Sequence, residues 1–343
     1  MKNFDEIFID KTKYGVKVQV AEYGERGKYV IIDQGQDQIA GYTNREEGLF
    51  KEVPVIIFGD HTRVIKYVDE PFFLGADGVK VLRSKDNNAN YKYLYYALKN
   101  AKIPNTGYNR HFKWLKEVCI KYPKREEQDM IVDILDNVSA IIYKRKDELS
   151  KLDNLIKARF VEMFGDPRSN PFGFSKSVLK DTCKVVTGNT PSRAVQEYYG
   201  NYVEWIKTDN IVSEMINPTK ATESLSEEGM KIGRTVDKDS ILMACIAGSI
   251  ASIGKVCVTD RTVAFNQQIN AIVPEEYNIL FLYVLLQLSK DYLVEDINMA
   301  LKGILSKSKL EEKEFIVPPM ELQKQFADFV TQVDKSKFIN QLL

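Results

Sequence analysis

The run from Lys124 to Gly165, KREEQDMIVDILDNVSAIIYKRKDELSKLDNLIKARFVEMFG, constrains the chain more than any other stretch. From Ile131, the positions Leu135, Val138, Ile142, Arg145, Leu149, Leu152, Ile156 and Met163 follow alternating steps of four and three, with Arg159 filling the gap. That period of about 3.5 is a coiled-coil seam. Pro123 precedes the run and Gly165-Asp166-Pro167 closes it, the punctuation that brackets a helix. One helix over this span is roughly 60 Å long. Alone it would leave its apolar stripe wet, so it needs a partner helix.

The partner is written near the other end of the chain. Tyr122-Pro123-Lys124-Arg125-Glu126-Glu127-Gln128 has a counterpart in Val317-Pro318-Pro319-Met320-Glu321-Leu322-Gln323. At the same offset Ile131, Ile134, Leu135 and Val138 become Phe326, Phe329, Val330 and Val333, while Leu115 and Ile120 become Leu310 and Phe315. With small gaps, Tyr91–Leu98 matches Ile279–Leu286 and Val79–Leu82 matches Ile269–Ile272. The chain is therefore a tandem of two units, each a mixed domain followed by a seam helix. The expected architecture is α+β: a first domain over 1–123, the central helix over 124–165, a second domain over 166–318 and a distal helix over 319–343.

Composition excludes more than it proposes. Among 343 residues, 48 Lys plus Arg balance 48 Asp plus Glu, which disfavours an indiscriminate nucleic-acid binder but leaves room for a basic face. Cys119, Cys183, Cys245 and Cys257 show no CxxC spacing and there are two histidines, so neither a zinc site nor a disulfide framework is indicated. No signal peptide precedes MKNFDEIF, and the apolar run Ile279–Leu288 is too short to span a bilayer. A reduced, cytoplasmic, soluble protein is expected.

In the first domain Tyr29–Ile32 reads as a strand, and Val53–Phe58 with Val64–Val68 as a hairpin whose polar tip is Gly59-Asp60-His61-Thr62-Arg63. Val79–Leu82 is a third strand and Tyr91–Asn100 a short helix. Polar groups gather at Gln34, Gln36 and Gln38, at Tyr42 and Asn44, and at His61, Thr62 and Arg63. Gln and Asn pair bidentately with adenine, Arg with guanine, and Gly lets backbone approach a groove. The same residues are also ordinary turn formers.

Three fragments in order, Ile32–Asn44 (IDQGQDQIAGYTN), Pro54–Tyr67 (PVIIFGDHTRVIKY) and Leu74–Leu82 (LGADGVKVL), together with the duplication, resemble a specificity subunit of a type I restriction-modification system. The likeness covers nearly the whole chain. In the second domain, Val186–Ser192, Tyr198-Tyr199-Gly200 and Val203–Asp209 resemble the start of a second target-recognition domain. Strands are expected at Ile241–Ile246 and Ile253–Val258. Asn189, Thr190, Ser192, Lys207, Thr208, Ser249, Asn266 and Gln267 are the candidate DNA contacts there. Two dissimilar readers suit two different half-sites, whereas identical ones would suit a palindrome.

Catalytic signatures are missing. Asn170-Pro171-Phe172-Gly173 lacks the second proline of an adenine-methyltransferase motif and lies in a linker. Gly248–Val256 has one residue too many between its glycines for a phosphate-binding loop, and Val256 where Ser or Thr belongs. Glu204 and Lys207 have nuclease-like spacing, but as groups on a solvated strand edge they need no such role.

The resemblance implies a non-catalytic chain that binds double-stranded DNA. It implies methyltransferase subunits as partners, two of them, which carry S-adenosylmethionine, and restriction subunits that use ATP and magnesium. The helices would act as a ruler between half-sites about 34 Å apart. A coiled-coil scaffold whose domains bind protein is the alternative. The distal helix is shorter than the central one, so the seam around Leu149–Met163 is expected to lack a partner within the chain. A methyltransferase, a second copy, or descent from a recombining locus that shortened the helix would account for it.

Overall fold

The computed structural model describes all residues except 76, 108, 214, 296, 298–302 and 343, with side chains described up to residue 337. The chain forms two compact units, Met1–Tyr143 and Lys144–Leu343.

The first unit runs β1 (Lys2–Asn3), α1 (Phe4–Ile7), β2 (Phe8–Asp10), β3 (Tyr29–Ile32), β4 (Gly41–Thr43), β5 (Val55–Gly59), β6 (Ile65–Val68), β7 (Phe72–Leu74) and β8 (Val79–Ser84). It ends with α2 (Tyr91–Lys99), α3 (Phe112–Lys116), β9 (Cys119–Ile120) and the start of α4 (Arg125–Phe164). One antiparallel sheet has the order β2-β8-β5-β6, and a smaller one the order β4-β3-β7, with β3 and β7 parallel. β5 is buried along its whole length because it has neighbours on both faces. Ile56 and Phe58 face Leu94 and Leu98 of α2. Val55 and Ile57 face Val30, Ile32, Phe72 and Leu74 of the smaller sheet. At about 1.5–3 kcal/mol per buried side chain, this three-layer stack is the main stabiliser of the unit.

The second unit repeats that plan. It runs β10 (Lys176–Val178), α5 (Leu179–Thr182), β11 (Cys183–Thr187), β12 (Tyr199–Ile206), β13 (Ser224–Leu225), α6 (Glu227–Ile232), β14 (Thr235–Val236), β15 (Ile241–Ala244), β16 (Val256–Val258), β17 (Val263–Phe265) and β18 (Ile269–Pro274). Then follow α7 (Ile279–Leu288), α8 (Lys290–Val294), α9 (Lys307–Glu311), β19 (Glu314–Ile316) and α10 (Met320–Leu342). Its sheets, β11-β18-β15-β16 and β13-β12-β17-β14, repeat that topology down to the parallel pair β12 and β17, with β14 as an added edge strand on the smaller one. The repeat read from the sequence is thus a repeat of structure.

A polar latch shows why Gln128 and Gln323 recur. Gln128 donates to the Pro123 carbonyl (2.9 Å) and accepts from the Asn90 N–H (3.0 Å). Gln323 does the same with Pro318 (2.8 Å) and Asn278 (2.9 Å). Asn90 and Asn278 in turn cap α2 and α7, each accepting from two backbone N–H groups. One glutamine therefore ties the seam helix of each unit to the capped start of its packing helix.

Two expectations are corrected. The expected strand from Ile253 shrinks to Val256–Val258, because Ile250–Ser252 forms a 3-10 turn and Gly254 is left-handed (φ 78°). The unpartnered part of the seam is also the opposite half from the one expected. α10 lies antiparallel on the end of α4: Phe326 meets Phe160 (5.4 Å between ring centroids) and Phe164 (5.7 Å), and Lys337 pairs with Asp153. An antiparallel partner begins where the central helix ends, so a short α10 covers Leu152–Phe164 and stops. The bare stretch lies earlier, where Ile134, Val138, Ile141 and Ile142 are exposed. Among the described residues, no helix is long and apolar enough to cross a membrane.

Candidate nucleic-acid interface

In the first unit the loop after β3 and the β5–β6 hairpin tip are bound into one surface. Gln34 donates to the Asp77 carbonyl (2.9 Å), accepts from the His61 N–H (3.1 Å), and its own carbonyl takes the Thr62 hydroxyl (2.6 Å). Gly78 sits beside the Gln34 amide at φ 92°, a conformation that L side chains rarely adopt and glycine holds without strain. Lys66 is 2% exposed and reaches Asp33 (3.4 Å) and the Asp37 carbonyl (2.5 Å). Burial lowers its pKa, and Asp33 opposes the shift.

Gln36, Gln38, Thr62 and Arg63 line one cleft of about 510 Å³ between the hairpin and α2, together with Tyr95, Lys99 and Ile103. Gln38 also donates to the Tyr67 carbonyl (2.8 Å). Arg63 is held left-handed (φ 62°), a conformation that costs a non-glycine residue about 1 kcal/mol or more and recurs at binding tips. Tyr42 and Asn44 lie apart from this cleft. Tyr42 packs against the smaller sheet's core, and Asn44 accepts from the Lys28 N–H (3.0 Å). His61 is half-buried behind the tip.

In the second unit the candidates divide into two groups. Thr190 and Gln267 are exposed and hydrogen-bonded to each other, with exposed Ser192 two residues from Thr190. Asn189 behaves as Gln34 does, bracing Ile232 (3.0 Å), Arg234 (2.7 Å) and, through its carbonyl, the Trp205 indole (3.3 Å). Thr208 lines a second cleft of about 450 Å³ with Ser252, Lys255 and Gln268. The Ser249 hydroxyl meets that of Ser252 at 3.1 Å.

Several candidates are engaged inside the fold. Lys207 is paired with Glu223, which also takes Arg193 (2.6 Å), and the Lys207 hydrogen bond is the main force holding the Glu223 carboxyl below its ordinary range. Arg193 in turn lies over the rings of Tyr199 (4.5 Å) and Trp205 (5.2 Å). Asn266, 6% exposed, closes a turn onto Gln268. Gln34, Asn189, Lys207 and Asn266 thus have protein partners for the groups that base reading would require, and the Tyr42 ring is spent on packing. Glu204 and Lys207 are not on an open edge either: β12 lies between β13 and β17, and Glu204 is held by Arg261 (2.9 Å).

Residues 2–151 and 171–343 match the family model described as Type I restriction modification DNA specificity domain. The chain belongs to that family. Its role is DNA target specificity in a type I restriction-modification system. It is similar to the EcoR124I/EcoR124II specificity subunit of Escherichia coli, 25% identical over 80% of this chain and 70% of that one. It is also similar to the HindI specificity subunit of Haemophilus influenzae, 32% identical over 34% of this chain and 25% of the relative. Among solved structures, a type I system S subunit from M. genitalium shares the fold at a TM-score of 0.61, with 17% identity over 99% of this chain and 90% of that one. A chain from a structure on complex assembly of the type I R-M system does so at 0.51, with 15% identity over 99% and 88%.

The family assignment makes the matched strands a guide to residues the sequence alone did not single out. Ile57 and Leu242 occupy equivalent positions, opposite Val81 and Ala271. Their hairpin partners are Lys66 and Cys257. Counting back along the hairpins sets Arg63 against Gly254, and both are left-handed. Lys255 therefore stands beside the position that Arg63 holds in the first unit. Extending the repeat through the hairpin was the signal that could have found it.

Proposed function

We propose that each unit reads one half of a bipartite DNA target and that the helix running from the first unit into the second fixes the unread spacer between the halves. One observation carries this reading: two units with the same topology and the same Gln–Asn latch present chemically different tips. In the first these are Gln36, Gln38, Thr62 and Arg63, and in the second Thr190, Ser192, Gln267, Thr208 and Ser249. Amides, hydroxyls and a guanidinium on exposed loops are suited to base edges.

The chain itself is a non-catalytic subunit. Its partners are methyltransferase subunits, two of them, bearing S-adenosylmethionine, and restriction subunits using ATP and magnesium. The exposed seam of Ile134, Val138, Ile141 and Ile142 supports a methyltransferase as the partner docked on α4.

The test is genome-wide methylation mapping of cells carrying Gln36→Ala with Arg63→Ala. Relaxed sequence preference in one half-site, with the other half-site and the spacer unchanged, is the expected result. An unchanged motif removes these residues as readers, and loss of preference in both halves removes the division of labour.

A further inference from the structure

In the second unit a cavity of about 350 Å³ opens between the end of α4, the β15–β16 hairpin and α7. It is lined by Lys157, Lys255, Lys290 and Lys337 against a single carboxylate, Asp153. Lys337 is paired with Asp153, and Lys290 is anchored to the Ala251 carbonyl of the hairpin turn. Lys157 and Lys255 enter no ion pair among the described residues. In a chain with equal acids and bases overall, this is a local excess of positive charge that would attract an anionic ligand. The cleft in the matching place of the first unit is lined by Gln36, Gln38, Thr62 and Arg63. Lys66 and Lys99 stand beside those groups in the first unit, whereas in the second four lysines outnumber the amide of Gln287 and the hydroxyl of Ser213, so the balance shifts from groups suited to base edges toward ammonium groups.

We propose that Lys157, Lys255 and Lys290 form a subsite for the DNA sugar-phosphate backbone, which holds the duplex in register while the exposed Thr190, Ser192 and Gln267 face the bases. It rests on the DNA-specificity reading and adds a division within one unit. Ammonium groups are point charges that neutralise phosphate without distinguishing sequence, whereas amides and hydroxyls discriminate. Lys255 sits next to left-handed Gly254, so the turn presents it at the mouth of the cavity shared with the Thr208 cleft.

The test compares the full chain, with its methyltransferase partner, to its Lys157→Ala/Lys255→Ala variant. Both are titrated with target and random duplexes over a salt series. Each phosphate contact contributes about 0.9 to the slope of log affinity against log salt, so the slope is expected to fall by about 1.8. Affinity should drop by about tenfold or more on both duplexes, with the methylated motif unchanged. Charge reversal, Lys255→Glu, should weaken binding further. Unchanged slope with wild-type DNA affinity overturns the subsite. So does altered sequence preference at unchanged slope, which would make these lysines readers, or protection of the cavity by inorganic phosphate with DNA affinity unmoved. Failure of the wild-type complex to bind its target would instead overturn the specificity reading on which the subsite depends.

Discussion

The hairpin clefts of the two units occupy the same place in the same fold, yet in one two amides, a hydroxyl and a guanidinium stand beside Lys66 and Lys99, and in the other four lysines dominate. Behind them the two frameworks share buried positions: Leu115 with Leu310, both fully shielded, and Gln128 with Gln323, both nearly so. The difference teaches where a duplicated fold is free to diverge. A buried position is fixed by volume and hydrogen-bond satisfaction, while a tip position answers only to solvent and ligand.

The largest effect expected from breaking a framework is at the helix junction of the second unit. Phe160 is fully buried, stacked on Phe281 at 5.4 Å and edge-on to Phe326 at 5.4 Å. Phe160→Ala should cost about 3–5 kcal/mol by chemical denaturation and release α10 first, seen as rapid amide exchange along 320–337. At the first unit's seam the helix itself contributes aliphatic side chains, Val132 and Ile131, to the core, so Val132→Ala should cost far less, about 1–2 kcal/mol. Equal losses would show that the two junctions are held alike.

The latches come next. Gln128→Leu and Gln323→Leu each strand a buried backbone carbonyl and a capped helix start, at about 1–3 kcal/mol apiece. If the duplication is energetic as well as geometric, urea titration should give losses within about 0.5 kcal/mol of each other. A loss confined to one variant would mean that the other latch is only a shared shape.

Much of this framework was legible in the chain because its causes are local or periodic. The 3.5-residue seam, the Pro–Gln helix starts and the alternating strands declare themselves without knowledge of the fold. The tips were legible only as regions. Gln34 has the same side chain as Gln36, and Asn189 is as polar as its neighbour Thr190, so only the paired loops reveal that Gln34 and Asn189 are braces. Lys255 was hidden for a related reason: its neighbourhood is created by α4 and α8, distant in sequence. The direction of α10 was inferable, since an antiparallel partner must start at the end of α4, but helix length alone drew attention to the wrong half of the seam.

The units also differ in how they should respond to pH. Burial lowers the pKa of Lys66 in the first unit, so the folded state binds its proton less tightly than the unfolded chain, whose value is 10.5. Its penalty is full below the folded pKa and fades as pH rises toward 10.5. In the second unit burial raises the Asp334 carboxyl above 3.8, with Lys337 opposing. Its penalty is therefore full above the folded pKa and fades as pH falls toward 3.8. Lys66→Met should flatten the alkaline rise in first-unit stability, and Asp334→Asn should flatten the acid-side rise in the second. Exchange rates measured separately in each unit decide the matter, and shifts of the same sign in both would contradict the assignment.

The smallest effect on folding, and the sharpest on assembly, is expected on α4 itself. Ile134 and Ile141 are 63% and 56% exposed, and they share a helix face with Val138, so Ile134→Ser/Ile141→Ser removes apolar surface left exposed among the described residues. Stability should change by less than about 0.5 kcal/mol per site. Val161→Ser is the control: Val161 is also exposed, at 48%, but lies on the half of α4 that α10 already joins. If the bare stretch is where a methyltransferase docks, the double variant should weaken co-purification with that subunit by tenfold or more while the control does not. Equal behaviour of the two would show that the exposed seam is solvent-facing in the assembly, and would move the docking surface to the domains.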